Sequence, residues 1–275
     1  MHGSTLHDET VADVVAAGLD GATATVLVVN PTAETIRELL RALEDRVDPP
    51  TTKVLVEATL LSDLVDDFLV GSVVADLVEA GNLKVRTVDE TPNNFLFVAD
   101  GAVISVVAAG DRLAALESSD PDFMAEAQEY YEDRWSEAAP FTPRTPPLSE
   151  VRETLATALG EETAADFDAV LGSLDSVRGN GDGLGEVAIS LLVAARNSVL
   201  LYDISKWGED IGLASKATFS RTKTRLEDAG VIDTEKVPIE VGRPRLRLVL
   251  GDDRLGDVPP AEMADRARSM LAAEK

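Results

Sequence analysis

The chain has no cysteine, and its two histidines, His2 and His7, both fall within the first seven residues. Absence of cysteine excludes disulfides, thiol catalysis and Cys-based metal sites. Histidine confined to one tail leaves no His/Cys cluster for a metal. Lysine is scarce, seven against eighteen arginines. No run of about 18 apolar residues exists, so no helix is expected to span a bilayer. No basic-then-apolar leader opens the chain, and a cytoplasmic protein without a membrane partner is the expectation. Catalytic signatures are missing as well: there is no P-loop, no GxGxxG after the first strand and no GxSxG. These absences point away from an enzyme and from any cofactor or metal.

What is abundant is acid. Asp and Glu number 50 against 25 Lys and Arg, a net charge of -25 over 275 residues that are 45% hydrophobic. A disordered polyanion would lack apolar periodicity, whereas this chain has enough of it for two modest cores. The composition resembles that of haloarchaeal proteins, whose acidic surfaces stay soluble in strong salt. No pair of carboxylates stands out as acid and base.

The charge is uneven. Residues 201–250 hold nine basic side chains (Lys206, Lys216, Arg221, Lys223, Arg225, Lys236, Arg243, Arg245, Arg247) and eight acidic ones, a net of +1, while the remainder carries -26. A near-neutral island in a polyanion marks where an anionic partner could dock; a solvated Arg-rich face is the alternative.

Along the first half, residues 8–18 read as a helix with Gly18 as C-cap. Ala24–Val29, Lys53–Ala58 and Leu83–Val88 read as strands. Between them lie a helix started by Asn30-Pro31-Thr32, with Pro in the first turn, and one long helix from Leu61 to about Ala80. The β-α-β-α-β order favours a mostly parallel sheet, followed by a hairpin turning at Asp100-Gly101. A helix over about Pro121 to Ala138 carries Phe123, Met124, Tyr130, Tyr131 and Trp135 at a spacing that suits core packing. The fold class expected is therefore an α/β N-terminal domain with flanking helices, joined to a C-terminal winged helix-turn-helix.

The expected organisation is an α/β sensor or dimerisation domain over 1–139 and a Pro-rich linker over 140–148, stiff and unable to join a strand ladder. A helical connector follows over 149–182, then the winged helix over 183–255 and a terminal helix over 256–275. Gly-Asn-Gly-Asp-Gly (179–183) lacks the spacing of a calcium loop and reads as a flexible joint. The helix over Pro260–Ala273 is free to pack on the wing or on a second subunit.

The segment Glu186–Leu250 carries the strongest signal. A nearly all-apolar helix (Glu186–Leu200) precedes a short one (Asp203–Ile211) with Ile204, Trp207 and Ile211 inward. Gly212 sits at a sharp turn. Ser215 caps a second helix, Lys216–Ala229, and two strands flank Val241-Gly242-Arg243-Pro244-Arg245. In such a unit the second helix enters the major groove. Phe219, Leu226 and Ala229 share one side of it. Arg221 and Thr224 lie opposite, flanked by Lys216, Thr218, Ser220 and Arg225, with four basic groups and no acid from Lys216 to Arg225. Arg suits guanine edges, Ser, Thr and Lys suit phosphates, and Arg243 and Arg245 form a wing tip. Lys223 falls toward the core side, where its stem can snorkel. Double-stranded DNA is the expected partner; a winged helix used only for protein contacts is the alternative.

On these residues, AARN at 194–197 and LLYDISKWGEDIGLASKATFSRTKTRLEDAGVI after it, the chain resembles the haloarchaeal TbsP family of transcriptional regulators over its full length. The resemblance implies a winged-helix repressor or activator tied to central carbon metabolism. The N-terminal half is distantly similar to the phospholipase-D-like effector domain of archaeal TrmB-type sugar-responsive regulators. The His-x-Lys pairs of that enzyme fold are absent, so its catalysis does not carry over.

In open α/β sheets ligands bind beyond the C-terminal strand ends. Those positions hold Asn30, Thr32, Glu57, Thr59, Asn93 and Asn94, which suit a small metabolite such as a sugar or its phosphate; Asn30, Thr32, Asn93 and Asn94 are equally ordinary capping and turn residues. A homodimer placing two recognition helices about one DNA turn apart completes the expectation.

Overall fold

The computed structural model describes residues 5–20, 25–89, 94–109, 112–174, 177, 184–238 and 244–273. It divides into two compact units, Met1–Val65 with Val73–Arg144, and Asp66–Ser72 with Thr145–Lys275.

The first unit runs β1 (Thr5–Glu9), α1 (Val11–Leu19), β2 (Thr25–Val29), α2 (Ala33–Glu44), β3 (Thr51–Glu57), α3 (Ala58–Val65), α4 (Phe68–Glu79, of which Phe68–Ser72 belong to the second unit), β4 (Leu83–Val88), β5 (Phe95–Ala99), β6 (Ala102–Ala109), β7 (Arg112–Ser118), α5 (Pro121–Glu137) and β8 (Ala139–Pro140). One eight-stranded sheet has the order β1-β7-β6-β5-β2-β3-β4-β8. The expected parallel run is present, with Val28 opposite Val54 and Val54 opposite Val85. The β5–β6 hairpin turns at Asp100-Gly101 and pairs antiparallel onto β2. The antiparallel part is larger than that hairpin, because β7 and β1 extend it. Neither strand was expected; Arg112–Ser118 is too mixed in polarity to stand out.

Several local expectations are corrected. Gly18 lies inside α1 and does not cap it: a Cβ there would stand 2.3 Å from the Phe97 ring, so the glycine is required by close packing. Thr10 and Asp13 start α1 with a capping box. Pro31 precedes the N-cap of α2, which is Thr32, and so lies outside the first turn. The long helix from Leu61 is two helices. Asp67, whose carboxylate accepts from the Leu69 N–H at 3.1 Å, starts the second in the manner of an N-cap. The Pro-rich stretch does join a ladder: Ala139 and Pro140 pair with Thr87 and Arg86 at the sheet edge, where the missing N–H of proline costs nothing.

One face of this sheet packs Leu27, Val29, Leu55, Leu96, Val98 and Val103 against Ala127, Tyr131 and Trp135 of α5. The core role expected for the α5 aromatics holds for Tyr131 and Trp135 only. Phe123 and Tyr130 are half exposed, as are Val107 and Leu116.

The second unit continues with α6 (Leu148–Leu159), α7 (Glu161–Leu171), α8 (Glu186–Arg196), α9 (Leu201–Asp210), α10 (Lys216–Asp228), β9 (Ile232–Val237), β10 (Arg245–Leu250), α11 (Asp253–Gly256) and α12 (Pro260–Ala273). Its core centres on α8, whose residues Val187 to Ala195 are all buried. The expected connector helices α6 and α7 share that core through Val151, Leu155, Phe167 and Val170. So does α12, which packs on α7 and buries Met263, Ala264 and Ala267 within its own unit. Phe68 lies in the same core, and the Asp67 carboxylate also accepts from the Val177 N–H at 3.1 Å. The Gly-Asn-Gly-Asp-Gly segment lies outside the described residues.

Candidate nucleic-acid interface

Three helices and a two-stranded ribbon build the site. Helices α9 and α10 cross at Gly208, where any Cβ would meet Phe219. Both end in Schellman turns. Leu213 N–H donates to Gly208 O (2.8 Å) with Gly212 at φ 74°, and Val231 N–H donates to Leu226 O (2.9 Å) with Gly230 at φ 69°. Glycine takes this left-handed backbone without the Cβ clash other residues suffer. Trp207 is anchored by its indole N–H, which donates to Thr154 Oγ1 at 3.0 Å.

Helix α10 starts at Ser215, whose hydroxyl accepts from the Thr218 N–H at 3.2 Å. Phe219 and Leu226 are fully buried, each burial worth about 1.5–3 kcal/mol. Opposite them Lys216, Ser220, Arg221 and Thr224 are exposed, and Thr218 is half-buried. Arg221 donates to the Thr218 hydroxyl at 3.4 Å, and Thr224 donates to Ser220 O at 3.2 Å. Arg225 departs from the expected exposed row. It is half-buried, with its Nε enclosed and without a hydrogen-bond partner among the described residues. Lys223 is 14% exposed and pairs with Glu227 at 2.5 Å. Glu227 also accepts from the Thr234 hydroxyl at 3.1 Å, tying α10 to β9.

In the ribbon, β9 and β10 pair antiparallel with Leu248 opposite Thr234. Leu200 adds a bridge to Arg247. Arg245 lies with its guanidinium 5.1 Å from the Tyr202 ring centroid and 3.9 Å from Asp203. Arg243 lies outside the described residues.

Two features were missed in the sequence. Half-exposed Tyr202 supplies the ring beneath Arg245. Acidic side chains also hold the lysines: Lys216 pairs with Glu209 at 2.6 Å, and Lys206 pairs with Asp210. The i,i+4 spacing of Lys206 and Asp210 was readable. The Glu209–Lys216 pair spans the turn and depends on how α9 and α10 cross. Hydrogen bonding by the Lys216 ammonium holds the Glu209 carboxyl below its usual range.

The residues expected to bind a metabolite are placed as follows. Asn30 ends β2 at φ 51°, a conformation asparagine tolerates. The Thr32 hydroxyl accepts from the Thr35 N–H at 3.2 Å as the α2 cap. Glu57 accepts from the Thr59 and Leu60 N–H groups at 3.0 and 3.2 Å. The Thr59 side-chain and backbone hydrogen bonds hold its carboxyl below the usual range. Asn93 lies outside the described residues. Asn94 lines a cavity of about 630 Å³ with Leu116, Phe123, Tyr130 and Tyr131, and this cavity does not include Asn30, Thr32, Glu57 or Thr59. Burial pushes the Tyr131 hydroxyl up, and a hydrogen bond with Asn94 partly offsets this. Among the described residues no group of three or more acidic or histidine side chains is arranged to hold a metal, and no helix is long and apolar enough to cross a membrane.

Comparison with known proteins gives two family matches. Residues 3–146 match the family described as transcriptional regulator TbsP-like, N-terminal, and residues 147–268 match its C-terminal HTH domain. No curated protein matches the chain. Among solved structures, TrmBL2, an archaeal chromatin protein described as having a novel mode of DNA binding, is similar at 15% identity and TM-score 0.39. The likeness covers 51% of this chain and 54% of TrmBL2, about half its length. Nuc, a phospholipase D family member from Salmonella typhimurium, is similar at 13% identity and TM-score 0.37 over 51% of this chain and 99% of its own. NucT from Helicobacter pylori is similar at 12% identity and TM-score 0.36, with the same shares. Scores this low carry no functional weight.

Proposed function

We propose, for a chain that belongs to the TbsP-like family of transcriptional regulators, that it binds promoter DNA by laying α10 in the major groove. One observation carries this reading. Arg221 and Thr224 stand exposed on the side of α10 opposite fully buried Phe219 and Leu226, in a segment without an acidic residue. Arg221 is then placed for a guanine edge. Lys216, Thr218, Ser220 and the α10 amide end serve the phosphates. Ser215 fixes the start of the helix, and Arg245, steadied on Tyr202, serves the backbone beside it. Arg225, half-buried, contributes through its guanidinium tip, and Arg243 adds a further cation for the backbone.

Competition binding over a randomised duplex library tests this. Arg221→Ala is expected to relax preference at one base pair at a cost of ~1–3 kcal/mol. Arg245→Ala is expected to weaken all sequences alike and to lower the salt slope by about 1. Equal losses across sequences for both variants, or no duplex binding by the intact chain, overturn the reading in favour of a protein-contact winged helix.

In this proposal the chain acts as a homodimer on genes of central carbon metabolism and answers to a small metabolite. Because Thr32, Glu57 and Thr59 are engaged in caps, the metabolite is assigned to the cavity beside Asn94, whose volume suits a small ligand. Light scattering, genome-wide immunoprecipitation of the tagged chain, and calorimetry with a metabolite panel test the three parts. A monomer, bound promoters without such genes, or no heat with any compound removes the corresponding part.

A further inference from the structure

We propose that Glu209 and Asp210 compete with DNA phosphate for Lys216 and Lys206, so that acids built into the helix-turn-helix suppress sequence-independent binding and leave recognition to Arg221. The inference rests on the DNA-binding reading above.

Two lysines suited to phosphate are occupied. Lys216, the first residue of α10, has its ammonium 2.6 Å from the Glu209 carboxylate near the end of α9. Lys206 is paired one turn along α9 with Asp210. Arg221, by contrast, has no ion pair among the described residues, and its one hydrogen bond goes to the neutral Thr218 hydroxyl at 3.4 Å. The side chain best suited to a base edge thus has no carboxylate partner among the described residues, while Lys216 and Lys206, suited to the backbone, are held by carboxylates.

The consequence for binding follows from counterion release. Each lysine that neutralises a phosphate contributes about -0.9 to the slope of log K against log salt. A lysine held by its own carboxylate must leave that partner before it can neutralise a phosphate and release a cation condensed on the DNA, and the carboxylate also repels the incoming phosphate. Screening shortens from ~10 Å at 0.1 M salt to ~3 Å at 1 M. Added salt therefore weakens the carboxylate–phosphate repulsion along with the attraction, and the chain should hold DNA with a shallow salt dependence.

The full-length chain carrying Glu209→Gln and Asp210→Asn is compared with the unaltered chain on a random-sequence duplex between 0.1 and 1 M KCl. Both acids are about half exposed, so the amides should leave the fold intact, and circular dichroism checks this. Affinity at 0.1 M is expected to rise about tenfold or more, and the salt slope to steepen by about 2. Glu262→Gln, which releases Arg266 of α12 from a 2.6 Å pair, is the control for a lost negative charge and is expected to leave the slope unchanged. An unaltered chain that binds DNA, with variants whose slope and affinity match it or are matched by Glu262→Gln, overturns the inference alone. No binding by the unaltered chain but binding by the double variant supports it strongly. No binding by either removes the DNA-binding reading and this inference together.

Discussion

Gly208 of α9 lies against the ring of Phe219 in α10 so closely that a Cβ would stand 2.4 Å from its Cε2 and Cζ atoms. This contact sets how near the two helices approach, and with it where the first turn of α10 is presented. Phe219 is fully buried and cannot yield without displacing the α8 core. Gly208→Ala is therefore expected to cost ~1–3 kcal/mol, as overpacking does, although alanine is the better helix former. Urea unfolding should show a lower midpoint with an unchanged m-value.

Arg86 ends α5. Its guanidinium donates to Trp135 O at 2.6 Å and Ser136 O at 2.9 Å, and its Cζ lies 5.2 Å from the Trp135 ring centroid. The last carbonyls of a helix have no partner of their own. Arg86→Met keeps most of the apolar stem but removes these charge-assisted bonds, with an expected loss of ~1.5–3 kcal/mol in unfolding free energy. A loss as small as that of an exposed arginine such as Arg268→Met would refute the capping role.

Glu186 opens α8, and burial raises its pKa above the ordinary 4.5. A raised folded-state value means the folded chain keeps a proton that the unfolded chain releases. Stability gained from this group is therefore full below 4.5 and lost as pH rises through the raised value. Glu186→Gln should be the more stable form at neutral pH, seen as a higher melting temperature, with the gap closing as pH falls to 4.5. Parallel stability curves for the two proteins would contradict this.

Lys223, Glu227 and Thr234 link α10 to β9. Glu227→Ala strands a largely buried ammonium and is expected to cost ~1–2 kcal/mol, whereas Glu227→Ala in a Lys223→Met background should cost less. A double-mutant cycle without coupling between the two positions would show that the ion pair is incidental.

Much of the winged-helix unit was readable in the sequence because its signals are local. Ser215 caps through a bond three residues away, Gly212 and Gly230 take left-handed turns, and Phe219 and Leu226 share a face at helical spacing. The same held for β2, β3 and β4, whose short apolar runs between helices needed no partner to be recognised. Local pattern misled at Gly18, which a helix-end rule took for a cap, and at the α5 aromatics, whose even spacing gives no hint that Phe123 and Tyr130 lie where the sheet face is left open.

Amino-acid order alone placed Arg221 opposite an apolar stripe on a capped helix, since 3.6-residue periodicity and capping chemistry act within a few residues. Pairings across long stretches were decided only by tertiary structure: β1 on β7 and Pro140 on Arg86. Such contacts depend on how whole elements stack. The energy that fixes them comes from burial shared among distant residues, and no short window of sequence contains it.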